Sequence, residues 1–479
     1  VRGVITVVKA QGRPVHFKAR VEDLPDSRPG EKISGSFTFE NLPSDPWKSS
    51  RYADGVYLQA SYQSDIAWLG ESGALRFRLA DLRQDMSYQI RRYLPEPFGP
   101  ILAAITLGDK SHLSDSVQTV FRRAGISHLA VVSGLHLTLI CGLFVGQVSA
   151  FSRLRRLRAL GCALFTLLIM AITGFTPSIC RAGLTMLLIC LGNLLLAPAD
   201  GLTSLSLAGI LLCLQNSYAV WDLSFQFSFC ATAGVLAAGE CSRRWADSGS
   251  RVLRLLAGAG SLVLPSAFAA LATLPIQLLH GLSVSGVSVL TNLLVGWLVP
   301  CILFFGVSAA LCSLVPIFGF ACMLFSLLAG LFVRILWAIA CFTAALPLSR
   351  LSLPPHYTLW LLSLAAIAGL VCHRRKEKGL FLCLMALIVG GGGLLGYCLE
   401  QDVIRVYLLG NGANPCAVLT QNQTACVIFR GGRANQLEVE EFLEEKGIDR
   451  ADLWILLSQD ESQASDFRAE QVLWLEELS

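Results

Sequence analysis

The chain has 479 residues, of which 54% are hydrophobic and only 15% are charged, and its formal net charge is +4. Soluble domains are about a quarter charged, whereas the mean hydropathy of this chain is +0.58. The composition therefore excludes a purely soluble protein and predicts an integral membrane protein with some soluble mass at its ends. The small net charge indicates little about partners.

Sixteen cysteines are present, none of them before Cys141, and most lie singly in apolar runs. A free cysteine in such a run behaves as a small hydrophobic residue. No Cys-x-x-Cys pair has zinc-like partners near it. The spacing therefore predicts neither a disulfide framework nor a metal site.

Residues 1–80 contain several short segments that alternate apolar and polar side chains, with turn signals between them. This pattern predicts a small β barrel or sandwich. The first twenty residues hold five basic side chains and no acidic one: Arg2, Lys9, Arg13, Lys18 and Arg20. These residues fit a weak polyanion-binding face or a solvated strand face balanced by the acidic residues that follow.

Residues 81–128 are predicted to form an amphipathic helical connector. Ser114 or Asp115 can cap a helix there, with Gln118 placed as in a capping box. Gly125 stands where a glycine commonly ends a helix in the left-handed conformation.

Residues 129–398 are mostly apolar, and a transmembrane helix needs about 20 such residues. We predict about ten transmembrane helices in this domain. Three of the apolar segments are long enough to be tilted, to pass twice, or to be broken at Pro265, Pro275 or Pro300. Short basic stretches at 153–158, 243–254 and 373–378 all fall on one side of these helices. That side is predicted to be cytoplasmic, which places both ends of the chain outside the cytoplasm.

Polar residues interrupt five of the predicted spans, and an ionisable residue inside a span is by default a functional-site candidate. In the first span Ser133 and His136 share a helix face beside Gly134, with His128 at the membrane edge. The other interruptions carry Ser178, Arg181, Asp222, Gln226, Pro275 and Asn292. Taken singly, each fits hydrogen bonding between packed helices, or snorkelling in the case of Arg181. Taken together, they favour a water-lined path, because irregular backbone at membrane depth needs water or protein around it.

The stretch from Ile101 to Phe144 resembles the signature of the ComEC competence family, which are membrane channels for DNA uptake. It carries Leu107-Gly108-Asp109, then a helix ending at Ala124-Gly125, then an element running from His128 to His136. Later elements of the same family follow in order. They stand at Pro177, Ser178, Arg181, Ala182 and Met186, at Phe225, Gln226, Ser228 and Phe229, at Pro275, and at Asn292 and Pro300.

The resemblance implies a polytopic α-helical membrane protein with a small N-terminal OB-like β domain and a short C-terminal α/β remnant. It implies a channel for single-stranded DNA in the bacterial plasma membrane, with residues 1–80 and the tail 399–479 outside the cytoplasm. The implied partners are single-stranded DNA, membrane lipid, DNA-receptor or pilus proteins outside, a helicase-type motor in the cytoplasm, and further copies of the chain as a homo-oligomer.

Passage of a strand requires cationic groups for phosphate and aromatic surfaces for bases. Arg181 is the leading cationic candidate. The aromatic candidates are Phe175, Phe225, Phe227 and Phe229, each of which core packing also explains.

The tail, residues 399–479, is predicted to be a small α/β unit of the order strand, strand, helix, strand. Many family members end in a metallo-β-lactamase-like domain that is thought to be a nuclease. This tail has segments at the positions of that domain's motifs, but these segments lack the characteristic residues of the motifs. No histidine follows His373. A dinuclear zinc site needs several imidazoles. We therefore expect no metal, no cofactor and no catalytic residue here.

Two other functions fit the sequence. A transporter of another anionic solute fits broken helices at mid-membrane. An intramembrane serine hydrolase would need Ser133 activated by His136 or His280, although the sequence around Ser133 is not a nucleophile elbow. A degenerate, inactive paralogue is a third alternative, which the eroded tail suggests.

Overall fold

A computed structural model of the chain describes residues 3–349 and 403–474, apart from short stretches. The stretches left out are 11–12, 22–29, 43–50, 53–54, 63–66, 73, 133, 150–154, 176, 196–199, 248–250, 281, 347–348, 411–413, 422–423, 431, 447, 449 and 458–468. The described chain is mostly helical, with small β sheets towards both ends. It divides into two compact units, Val1–Leu274 with Ser285–Ser349 and Pro275–Val284 with Arg350–Ser479.

Six strands form the N-terminal part of the first unit. They are β1 (Gly3–Ala10), β2 (Arg13–Val21), β3 (Glu31–Ser34), β4 (Phe37–Asn41), β5 (Val56–Tyr62) and β6 (Ala67–Glu71). Four of them make a sheet in the order β1-β2-β5-β4, in which only β2 and β5 run parallel, while β3 pairs with β6. Alternating side chains place Ala19, Val21 and Ala60 in a small core. The predicted β structure is present, and the OB-like assignment stays a prediction.

Three helices follow: α1 (Leu75–Arg91), α2 (Phe98–Leu107) and α3 (Asp115–Ala124). Nine of the ten residues of α2 are buried, so this helix is enclosed rather than amphipathic. Its side chains Ile101, Leu102 and Ile105 belong to the largest hydrophobic core of the described chain. The predicted connector is thus part of the helical core.

The next six helices are α4 (Gly134–Ser149), α5 (Arg155–Thr173), α6 (Pro177–Leu194), α7 (Gly201–Gln215), α8 (Leu223–Ala246) and α9 (Arg251–Leu279). Helix α9 runs through Pro265 and Pro275 without interruption. A short 3-10 helix, Ser217–Trp221, joins α7 to α8. Thiols from three helices meet in this bundle, since Cys162 of α5 lies within hydrogen-bond reach of Cys141 of α4 and Cys190 of α6.

The last helices of the first unit are α10 (Ser288–Val295), α11 (Leu298–Ser313) and α12 (Gly319–Ala344). The axis bends by 54° between α10 and α11, just before Pro300. Among the described residues one helix, Pro316–Ala344, is long and apolar enough to cross a membrane, and the bent pair adds a second if it forms one span. Shorter apolar helices lie at Phe98–Leu107, Ala159–Thr173, Ser178–Leu194, Gly201–Gln215 and Val263–Leu279. The predicted segments near 357–372 and 379–398 lie outside the described residues.

The tail folds as five strands and one helix: β7 (Arg405–Leu409), β8 (Cys416–Gln421), β9 (Thr424–Phe429), α13 (Arg433–Lys446), β10 (Ala451–Leu456) and β11 (Ala469–Trp474). The sheet order is β11-β10-β9-β8-β7, with β9, β10 and β11 parallel. The core holds Val418, Phe429 and Trp454. The predicted order, strand, strand, helix, strand, is correct for β7, the helix and β10. Its second strand is in fact the antiparallel pair β8 and β9, and β11 is missed.

Candidate anion site at the start of three helices

A tight turn sets the start of α6. Gly174 and Phe175 both adopt left-handed backbone angles, with φ of 89° and 53°. Both backbone N–H groups donate to the carbonyl oxygen of Met170, which closes the end of α5. Arg83 of α1 also donates to the carbonyl oxygen of Thr173 at 3.0 Å. The end of α5, just before α6, is therefore fixed by these bonds.

Arg181 lies one turn into α6 and is buried, with 6% of its surface exposed. Its Nε donates to Ser228 Oγ at 2.6 Å, and its Nη1 donates to Thr232 Oγ1 at 3.0 Å. Both hydroxyls belong to α8. The ring of Phe229 on the same helix lies 5.8 Å from the guanidinium carbon. Snorkelling to solvent is therefore not what this arginine does.

The third nitrogen of the guanidinium faces α4. A Cβ atom built on Gly134, the first residue of α4, would lie 2.7 Å from Arg181 Nη2 and 3.2 Å from Ala182 Cβ. Any side chain at residue 134 would displace the guanidinium, so glycine is required by this close approach. The beginnings of α4, α6 and α8 thus meet around one buried cation.

No carboxylate pairs with Arg181 among the residues that the structure describes. Its partners are two neutral hydroxyls and an aromatic face. Transfer of an unpaired cation into a low-dielectric interior costs several kcal/mol, and an opposite charge offsets that cost. The beginnings of α4 and α6 add partial positive charge, because backbone N–H groups point out of helix N-termini. The site therefore suits an anion, and phosphate is an anion that helix starts and arginine bind well.

A shallow cavity of about 490 Å³, largely open to the outside, lies between α7 and α8. Its lining residues are Ser206, Gly209, Ile210, Cys213, Leu214, Phe225 and Phe229. Phe225 and Phe229 stack with ring centroids 4.2 Å apart. A Cβ on Gly209 would come within 3.0 Å of the Phe229 ring, so the absence of a side chain at residue 209 leaves room for this ring. The cavity is apolar and joins the arginine site through Phe229.

The two histidines of the first motif have different environments. His128 lies on a 3-10 helix, Ser127–Ala130, and is exposed. His136 lies in the first turn of α4 and is fully buried. Ser133, predicted to share a face with His136, lies outside the described residues. The structure therefore leaves the pairing of Ser133 with His136 as a prediction.

Asp222 and Gln226 hold the start of α8 together. The Asp222 carboxylate accepts hydrogen bonds from the backbone N–H groups of Ser224 and Phe225, both at 3.2 Å, which makes it the N-cap. Gln226 Nε2 donates to the carbonyl oxygen of Val220 at 2.9 Å. Both side chains thus bond to local backbone, and this bonding fixes the start of α8, of which Ser228 is the sixth residue.

The remaining predicted residues are spread over three helices. Ser178 is half-buried on α6, one turn before Arg181, Pro275 lies within α9, and Asn292 is half-buried on α10. None of the nine predicted residues that the structure describes lines the cavity between α7 and α8. The contacts described bring Gly134 and Arg181 together, and the common passage for all ten stays a prediction.

Three residues of the family signature, Gly108, Asp109 and Gly125, have clear local roles. Gly108 and Gly125 end α2 and α3 in the left-handed conformation, with φ of 72° and 74°. The Asp109 carboxylate accepts hydrogen bonds from Ser87 of α1 and from Ser111. Partial burial raises the pKa of Asp109, but the hydrogen bonds from Ser111 and Ser87 outweigh burial and hold the pKa below its usual value.

Sequence reasoning missed Thr232. Ser228 and Thr232 stand four residues apart on α8, so they share a face. That spacing, on the helix that carries the phenylalanine candidates, is the signal that could have found it. Among the described residues, no group of three or more His, Cys, Asp and Glu side chains could hold a metal ion. The tail holds no histidine, and so does not fit a dinuclear zinc site.

Comparison with known proteins places these features in a family. Residues 105–377 match the family model described as "Competence protein". The matched region contains α4, α6 and α8 and hence the whole arginine site. The chain is also similar to ComE operon protein 3 of Bacillus subtilis (strain 168), with 28% identity over 248 residues. That match covers 50% of this chain and 30% of the relative. No solved structure matches the chain. Since the family model spans more than half of the 479 residues, the chain belongs to the competence protein family.

Proposed function

We propose that this chain is a multi-pass membrane protein that takes up single-stranded DNA during competence, and that the strand passes the buried Arg181. Membership of the competence family supports the process. The match covers 30% of the relative, so an activity of the whole relative is ascribed to this chain only as a proposal.

One observation carries the proposal: a guanidinium that is 6% exposed has hydroxyl and aromatic neighbours and, within the described chain, no acidic partner. A strand of DNA brings one negative charge per nucleotide past such a group. Each phosphate offsets the cost of the buried charge while it is near Arg181. Because hydroxyls rather than carboxylates hold the guanidinium, the next phosphate meets no competing anion.

The fold supports an orientation for this path. Tyr218, just before α8, contacts Tyr52 of the N-terminal β region, with ring centroids 5.4 Å apart. The β region and the start of α8 therefore lie at the same end of the bundle. Basic residues lie at the other end of α8, where Arg243 pairs with Glu240 at 3.2 Å. The positive-inside rule makes that end cytoplasmic, so the β region and the arginine site face outside.

The test is uptake of fluorescently labelled DNA by cells that carry Arg181→Ala, Arg181→Lys or the control Arg243→Ala. Arg181→Ala should lower uptake at least about tenfold, equivalent to about 1.4 kcal/mol, with an unchanged amount of protein in the membrane. Arg181→Lys keeps the charge but loses the planar fork that reaches both hydroxyls, so uptake should be intermediate. Arg243 is exposed and should be dispensable. Wild-type uptake by Arg181→Ala would refute the proposal.

A transporter of another anionic solute is the second candidate, since Arg181 suits any anion. Competition separates the two: single-stranded DNA should block labelled DNA uptake in the wild type, whereas an excess of phosphorylated metabolites should not. The partners in the proposal are a receptor or pilus protein that delivers DNA outside and a motor that acts in the cytoplasm. The sequence given has no Walker-type nucleotide-binding motif, so the proposal assigns the motor to a partner.

A further inference from the structure

Three tyrosines are in contact where the β region meets the start of α8, and Trp221 follows on the same 3-10 helix as one of them. We call these four residues the aromatic patch: Tyr52, Tyr57, Tyr218 and Trp221. Tyr52 and Tyr57 stack at 5.6 Å with an interplanar angle of 26°. Tyr52 meets Tyr218 edge-on at 5.4 Å. Trp221 stands three residues after Tyr218 on the same 3-10 helix, where residues three apart lie on the same face.

The patch is open on its outer side. Tyr57 is 46% exposed, Tyr218 is 42% exposed and Trp221 is 62% exposed. The edge contact of Tyr52 with Tyr218 packs the β region against the helices. It does not account for three further ring surfaces that remain exposed beside it.

A cation lies next to the patch. The backbone N–H of Gly55 donates to the carbonyl oxygen of Tyr52 at 3.0 Å, which makes a tight turn. A Cβ built on Gly55 would lie 3.8 Å from the Nζ of Lys18, so the Lys18 ammonium group stands beside this turn. Exposed rings next to a lysine form the combination that binds single strands, with bases stacked on the rings and phosphate on the cation.

The patch also leads into the arginine site along the chain. Trp221 is followed by Asp222, whose carboxylate is turned into the start of α8 by its bonds to Ser224 and Phe225. Phe225 then stacks on Phe229, whose face lies against Arg181. Aromatic side chains therefore both precede and follow the N-cap residue Asp222 along the chain. The patch precedes it, and the Phe225–Phe229 pair follows it within α8.

We propose that the aromatic patch is the outer docking site for the bases of single-stranded DNA, which stack on Tyr57, Tyr218 and Trp221 before the strand reaches Arg181. This inference rests on the proposed function. Lipid is the competing occupant, because tyrosine and tryptophan also gather at membrane surfaces. The two stacked tyrosines of the β region, with Lys18 beside them, favour nucleic acid.

The test uses the full chain in nanodiscs and two oligonucleotides of equal length, one with bases and one abasic. The wild type should bind the strand with bases more tightly. Tyr218→Leu and Tyr57→Leu should each weaken that binding about tenfold, within the range for loss of one stacked base, and leave binding of the abasic strand unchanged. Tyr218→Phe and Tyr57→Phe keep the ring and should bind as the wild type does. Tyr88→Leu, at an exposed tyrosine on α1, is the matched control.

Several results would overturn the docking site. They are equal losses for the Leu and Phe variants, equal losses for both oligonucleotides, or wild-type affinity in Tyr218→Leu. Quenching of Trp221 fluorescence by brominated lipid but not by DNA, measured against Trp221→Phe, would assign the patch to the membrane. If these tests fail while Arg181→Ala still abolishes uptake, the proposed function stands without the patch. If the wild type binds neither oligonucleotide and Arg181→Ala takes up DNA normally, both proposals fall.

Discussion

The guanidinium of Arg181 lies directly against the first residue of α4, so that a methyl group on Gly134 would stand 2.7 Å from its Nη2 atom. The far end of a flexible side chain can move out of the way, whereas backbone cannot. A side chain at residue 134 should therefore shift the charge of Arg181 more than it destabilises the fold.

Gly134→Ala should fold and reach the membrane but lose uptake, because the added methyl group pushes Arg181 off its two hydroxyl partners. The measurement is labelled DNA uptake at matched membrane protein levels, with a loss of about tenfold or more expected. Gly142→Ala on the same helix is the control, since a Cβ there meets nothing within 4 Å. Equal uptake by the two variants would contradict the coupling.

Ser228→Ala combined with Thr232→Val removes both hydroxyls that hold Arg181 and leaves the guanidinium without them. We expect a stability loss of about 1–3 kcal/mol, the cost of unsatisfied buried groups, and a lower uptake. Thermal unfolding in detergent measures the first effect. Thr291→Val is the control, because the buried Thr291 hydroxyl bonds only within its own helix, to Val287. A double variant as stable and active as this control would exclude the role.

The hydrogen bonds to Asp109 predict acid sensitivity of the contact between α1 and the end of α2. Its pKa is lowered in the folded protein, so the stabilisation is fully present above the unfolded pKa and is lost as pH falls through the folded pKa. Melting temperature measured from pH 7 to pH 3 should therefore fall more steeply for the wild type than for Asp109→Asn. Ser87→Ala should flatten the curve partly. Parallel curves for wild type and Asp109→Asn would show that Asp109 carries none of this dependence.

Gly125→Ala should destabilise the protein more than Gly108→Ala does. The left-handed backbone costs a side chain about 1–2 kcal/mol at either position, but at residue 125 a Cβ would also stand 2.8 Å from the Cα of Ser288. The backbone of Ser288 cannot move away as a side chain can, so the Gly125→Ala protein should be destabilised. The amount of this protein in the membrane should therefore fall. At residue 108 a Cβ meets only a side-chain methyl of Val132 at 3.2 Å. A milder loss at residue 108 is expected, and the reverse order would refute the steric argument.

Truncation after Glu400 should leave DNA uptake nearly unchanged. The tail has its own core around Trp454 and no histidine for a zinc centre. Uptake of single-stranded DNA by the truncated chain, at matched membrane levels, is the measurement. Loss of uptake would show that the tail has a part in transport despite its missing imidazoles.

Local signals in the sequence predict much of what the structure contains. The left-handed end of α3 at Gly125, the strands β7 and β10 and the helix of the tail follow from turn chemistry and periodicity. The split of one predicted strand into β8 and β9 does not. The contacts that make the site could not be predicted in this way. The bonds of Arg181 to Ser228 and Thr232 join residues about fifty positions apart, and the meeting of Cys141, Cys162 and Cys190 depends on how three helices pack.

One predicted pore residue and one strand illustrate the limit. Gln226 looks like a polar group inside an apolar span, yet the structure uses its amide to hold the carbonyl oxygen of Val220. Periodicity places a side chain on a face of a helix, but it does not distinguish a group that lines a path from one that closes a turn. Strand β11 escapes prediction for a related reason, because its pairing with β10 is parallel and needs a long connection.

The contact between the first residue of α4 and Arg181 of α6 has an energetic consequence for the proposed transport. Two positive dipole ends and a guanidinium make the outer end of the proposed path an electrostatic trap for a polyanion. A trap captures a strand but does no net work on it, and the strand must still be drawn out on the far side. In the proposed function, the energy that holds each phosphate at Arg181 contributes to the barrier for moving the strand by one nucleotide.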